Sequence, residues 1–169
     1  MQSYSIVGVK DEHTKDKGRN EAAMLLQDKS LAFKVFFIEW DSSKNVNYEN
    51  ISYPVNDFFE RLRVKYGPQM NDQNKVDSLI CGDLMETKAF LEMSKGDADP
   101  TIRRLTALAL SYNIKVVAAD AYHNEVKPGN LKLKERDEFA SNYIAKQVPT
   151  DGNSLFLWGA DHFEKKSDK

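Results

Sequence analysis

Two short apolar runs, Val35-Phe36-Phe37-Ile38 and Leu155-Phe156-Leu157-Trp158, limit the fold more than any other feature of the chain. Each is bounded by polar or turn residues, and neither shows the in-out alternation of a strand with one wet face. Unbroken apolarity over so few residues suits a strand covered on both sides, as in a parallel sheet flanked by helices. Strands are therefore expected over residues 34–40 and 154–158. Gly159 lets the backbone turn as it leaves the second of them.

The remaining segments fit between these two. A first strand is expected over residues 4–9. A helix follows over residues 20–33, with Ala22, Leu25, Leu26 and Phe33 on one face, widened by Met24 and Leu31. Residues 55–66 read as a helix opened by Pro54 and closed by Gly67-Pro68. Residues 76–81 read as a third strand, 85–93 as a helix, and 100–112 as a helix that Asn113 can end as a left-handed cap. A fourth strand is expected over residues 115–121. A helix follows over residues 133–147, with Phe139, Tyr143 and Ile144 inward. This alternation predicts a single α/β domain over residues 1–169, and the abrupt start leaves a domain excised from a longer chain as the alternative. Its mostly parallel central sheet has about five strands, with helices on both faces.

Charge and composition narrow the function. The formal net charge of −2 does not suggest a binder of nucleic acid or of a membrane surface. No apolar run approaches the ~18 residues of a membrane span. Met1-Gln2-Ser3 leads straight into a strand without a basic and then apolar leader, which reads as cytoplasmic, with a secreted effector as the alternative. The single cysteine, Cys81, cannot form an internal disulfide and sits in an apolar run as a buried thiol. Oligomeric state is not legible.

A parallel sheet brings all strand carboxyl ends to one rim, where open α/β sheets bind ligands. His13, His123 and His162, the three histidines of the chain, each fall within a few residues of a predicted strand end. Glu39 follows Val35-Phe36-Phe37-Ile38 directly, and a carboxylate drawn into an apolar run costs several kcal/mol unless paired or bound. Arg136 lies in the first turn of the last helix, where a cation is unfavourable without a partner. From there it can reach Glu39 or an anionic group of a substrate. Asp41, Asp83, Asp120 and Asp161 also fall at predicted strand ends; the roles of Glu12, Asp120 and His123 are left open.

These residues resemble the TraB/Tiki superfamily, which includes erythromycin-esterase-like enzymes, haem-binding ChaN-like lipoproteins and domains of large bacterial toxins. The resemblance rests on Gly8 and His13 after the first strand, Phe37 to Asp41, Arg136-Asp137 opening a helix, and Leu157-Trp158-Gly159-Ala160-Asp161-His162. It runs end to end but only through short motifs. The first motif departs, because four residues separate Gly8 from His13 and Glu12 adjoins the histidine. The resemblance implies a hydrolytic site, metal-assisted in the Tiki-like branch and using a histidine base in the esterase-like branch.

His13, Glu39 and His162 could hold a divalent metal with an open position for water. The same trio without metal supplies a histidine base oriented by a carboxylate, with Arg136 stabilising an oxyanion. The leading expectation is a hydrolase of a peptide or ester bond, acting on a small-molecule or peptide substrate through His13, Glu39, Arg136 and His162. The alternatives are a non-catalytic domain binding a metal, haem-type or other small ligand, and a toxin or effector domain acting on a host protein. No Gly-x-Ser-x-Gly, His-Glu-x-x-His, Walker A or Gly-x-Gly-x-x-Gly motif is present.

Overall fold

A computed structural model describes residues 5–12, 15–41, 64, 79, 81–86, 91, 100–120 and 133–159. Among these residues four strands form one sheet: β1 (Ile6–Asp11), β2 (Phe33–Asp41), β3 (Lys115–Asp120) and β4 (Asn153–Gly159). Their order is β1-β4-β2-β3 and every pairing is parallel. Three helices are described in full: α1 (Lys17–Gln27), α2 (Pro100–Ser111) and α3 (Leu133–Gln147).

The two runs that limit the fold are the inner strands β2 and β4. Phe36, Phe37 and Leu155 are completely buried. Adjacent residues of a strand face opposite sides of the sheet, and the core divides accordingly. Phe36, Ile38, Val116, Ala118, Leu155 and Leu157 pack with Ala22 and Leu26 of α1 and Leu105, Leu108 and Ala109 of α2. Val35, Phe37, Val117, Ala119 and Trp158 pack with Ala140 of α3. Helices thus cover both faces, and continuous apolarity follows because neither face of an inner strand meets water. Phe33 joins the α1–α2 side despite its odd spacing from Phe36, and a register shift lies between Phe33 and Val35. Edge strand β1 is less apolar, and its Ile6 is 51% exposed.

Several expectations are corrected. The sheet has four described strands rather than five. The strand expected over residues 76–81 gives way to helix at Leu79 and over residues 81–85. The reason is spacing: Cys81 and Leu84 are buried three residues apart and Met85 packs beside them, while Gly82 is exposed, which is the period of a helix. Cys81 is buried as expected, but on that helical segment. The first helix starts at Lys17 and stops at Gln27. Asp28 then accepts hydrogen bonds from the Ser30 amide (3.0 Å) and hydroxyl (2.6 Å), opening a single 3₁₀ turn, Lys29–Leu31. Ala32, at φ 47°, turns the chain so that Phe33 enters the sheet rather than the helix. Met24, expected inward, is 71% exposed. Phe139 is 40% exposed and stacks on Tyr143, so α3 packs through Ala140, Tyr143 and Ile144. Asn113 takes the left-handed conformation (φ 59°) expected of it. The helix over residues 133–147 has the expected bounds. Only Val64 of the helix expected over residues 55–66 is described, and it is helical. No described helix is long and apolar enough to cross a membrane.

Candidate functional site at the carboxyl rim

Because the four strands are parallel, Asp11, Asp41, Asp120 and Gly159 end them at one rim. Glu39 lies just inside it on β2. Its side chain is 16% exposed. One oxygen, Oε1, accepts a hydrogen bond from Nη2 of Arg136 at 3.0 Å. The other, Oε2, accepts from the Gly159 backbone N–H at 2.6 Å. The carboxylate thus bridges the end of β4 to the first turn of α3, and its burial is compensated by a charge-assisted pair.

Arg136 has a second and closer partner. Its Nε donates to Oδ1 of Asp120 at 3.1 Å, and its Nη2 donates to Oδ2 of the same carboxylate. Asp120 therefore grips the side of the guanidinium at two points, and Glu39 takes a further N–H. The hydrogen bonding to Asp120 is the main cause that raises the Arg136 pKa above its ordinary value. Burial opposes the rise, and the charges of Asp120 and Glu39 add to it. The arginine is a permanent cation held between two carboxylates, so these three side chains together carry a charge of −1.

The same device recurs on the other side of the sheet. Asp11, the last residue of β1, is gripped by Arg19 in the first turn of α1. Nε of Arg19 lies 3.1 and 3.3 Å from the two oxygens, and Nη2 lies 3.2 Å from Oδ2. Both side chains are nearly inaccessible, at 4% and 6% exposure. Gly18 permits this close seating, since a Cβ on it would lie 2.1 Å from the Lys10 carbonyl oxygen. Between strand and helix, the Lys15 amide donates to the Glu12 carbonyl at 2.7 Å, and the two side chains form an exposed ion pair.

Of the four expected site residues, the structure brings Glu39 and Arg136 together, as expected of a strand-end acid and a helix-start cation. His13 and His162 lie outside the described residues, as do His123 and Asp161. The strands that lead to them are hydrogen-bonded neighbours, and Asp11 is the register partner of Gly159. The sequence reading missed Asp120 as the main partner of Arg136, and it missed the Asp11–Arg19 pair entirely. In both pairs an aspartate that ends a strand meets an arginine in the opening turn of the next helix, a match that shows only once the strand and helix are in place.

A divalent metal on His13, Glu39 and His162 fits this arrangement poorly. Both Glu39 oxygens already accept hydrogen bonds, and a guanidinium 3.0 Å away opposes a further positive charge. Set against known protein families, curated proteins and solved structures, the chain finds no match.

Proposed function

We propose that the chain is a metal-independent hydrolase of an ester or peptide bond, of the TraB/Tiki kind, with its site at the carboxyl rim of the sheet. The observation that carries this reading is the Glu39–Arg136–Asp120 cluster joining the ends of β2, β3 and β4 to the start of α3. Chain continuity supports it further. His13 is two residues beyond Asp11 and His162 three beyond Gly159, and such lengths span at most about 7 and 11 Å. Their tethers start from paired positions on neighbouring strands.

In this reading the base is a histidine, because Glu39 is already committed to Arg136 and the Gly159 amide. One imidazole takes a proton from water as the water oxygen bonds to the acyl carbon. The charge that develops on the acyl oxygen is met by Arg136. The C–O or C–N bond then breaks, and the leaving group recovers the proton from the imidazolium. Glu39 keeps Arg136 and the end of β4 in place beside this chemistry.

The test is turnover of p-nitrophenyl acetate and of a short fluorogenic peptide by the full chain, with His13→Ala and His162→Ala variants checked for folding by circular dichroism. The reading expects wild-type turnover of at least one probe, unaffected by EDTA, and its loss in whichever variant removes the base. Wild-type rates no better than buffer, or full activity in both variants, would remove it. Loss of turnover with EDTA would replace the histidine-base form with the metal form.

A further inference from the structure

We infer that Asp120 is a positioning residue for Arg136, and that the donor this leaves for an acyl oxygen is Nη1 of the arginine. The inference deepens the hydrolase reading and rests on it for the identity of the acyl oxygen; the clamp itself does not.

A free arginine side chain rotates about several bonds, whereas a catalytic donor must be held in place before the reaction begins. Asp120 supplies that hold. It binds Nε and Nη2 together, which fixes the plane of the guanidinium as one hydrogen bond could not. Glu39 takes the second hydrogen of Nη2. Three of the five N–H groups are thereby used, and the two on Nη1 have no partner among the described residues. Arg136 keeps 31% of its surface exposed, while Asp120 and Glu39 are mostly covered. The most exposed member of the cluster is thus the arginine, the one that can donate.

Charge then selects the substrate. Nη1 favours the one oxygen in contact with it, but Glu39, Asp120 and Arg136 sum to −1, so a further anion on the substrate, standing off from the guanidinium, meets a net negative cluster. A neutral ester or amide oxygen meets no such opposition, and takes on charge only as the bond to water forms. The substrate group read by this site is an uncharged acyl group without a carboxylate beside it.

Two measurements on the full chain test this. The first is the side-chain Nε–H signal of Arg136 in a ¹H–¹⁵N NMR spectrum. Held by Asp120, it should be protected from exchange in the wild type, persist in Glu39→Gln, and vanish in Asp120→Asn. The second is the ratio of kcat/KM for neutral p-nitrophenyl acetate to that for anionic mono-p-nitrophenyl succinate. This ratio does not depend on the fraction of protein that is folded, so a merely structural role would not move it. Asp120→Asn takes the cluster from −1 to 0 and should shift the ratio toward the anionic ester by roughly five-fold or more. Asp120→Ser, which also lacks the two-point grip, replaces Asp120→Asn if that variant does not fold. A persistent Nε–H signal in the variant overturns the inference, as does an unchanged ratio in an active enzyme. If the wild type hydrolyses neither ester, the Nε–H signal alone decides whether Asp120 holds Arg136, and the hydrolase reading fails if the fluorogenic peptide is also left intact.

Discussion

Gly18→Ala should unsettle the molecule far more than its size suggests. Glycine to alanine within a helix ordinarily stabilises by about 0.5–1 kcal/mol. Here the new Cβ would sit 2.1 Å from the Lys10 carbonyl oxygen, 3.0 Å from the Lys10 carbonyl carbon and 3.2 Å from the Asp11 Cα. All three are backbone atoms, so no rotamer change relieves the overlap. To restore even 3.0 Å to the oxygen, α1 and β1 must separate by about 0.9 Å (3.0 less 2.1). Overpacking of this kind costs about 1–3 kcal/mol. The same movement stretches the buried Asp11–Arg19 bonds, now 3.1–3.3 Å. A hydrogen bond to a charged group contributes about 1.5–3 kcal/mol, and part of that is lost. After the helix gain is subtracted, the net loss is about 2–4 kcal/mol. With a urea m-value of about 2 kcal/mol/M, the unfolding midpoint should fall by about 1–2 M. Gly82→Ala is the control, because nothing lies within 4 Å of its added Cβ and the position is helical and exposed. It should leave the midpoint unchanged or raise it. If Gly18→Ala behaves like Gly82→Ala, the close seating of α1 on β1 is wrong, and with it the account of why Arg19 reaches Asp11.

Three further outcomes follow from the same geometry. Glu39→Ala strips the Gly159 N–H and Arg136 Nη2 of an acceptor and should cost about 1–3 kcal/mol in urea unfolding, with Glu39→Gln costing less. Gly152→Ala places a side chain at φ 130°, with its Cβ 2.5 Å from Lys34 Cγ, and should lower stability by about 1–3 kcal/mol in the same assay; a neutral result would contradict that backbone conformation. The hydrogen bond and charge of Lys15 hold the Glu12 carboxyl below its ordinary value of 4.5. The lowered group favours the folded state above about pH 4.5, and that contribution fades as pH falls through the folded value. Carboxyl ¹³C NMR should therefore show Glu12 titrating at higher pH in Lys15→Gln than in the wild type.

Much of the candidate site was legible because two of its members are locally improbable. Glu39 stands at the end of an unbroken apolar run, and Arg136 stands at the wrong end of a helix for a cation. Each residue demands a partner on electrostatic grounds, so their meeting could be expected without knowing the fold. Asp120 gave no such warning, since an aspartate that ends a strand looks like an ordinary loop residue until the neighbouring helix is in place. Asp11 was hidden in the same way, and a cation three residues before Ala22 gave no hint that it would be buried.

The sequence by itself determined the layering. Runs such as Val35 to Ile38 and Leu155 to Trp158 cannot be solvated on either side, so the strands that hold them must lie inside a sheet covered twice, and helices at the expected spacing must do the covering. The tertiary structure alone decided which strands are neighbours, that residues 81–85 coil rather than extend, and which carboxylate each arginine holds. Apolar burial is set by local pattern and is indifferent to partner, whereas an ion pair depends on two particular atoms arriving within about 3 Å. Residues as far apart as Glu39, Asp120 and Arg136 meet only once the strands have taken their order.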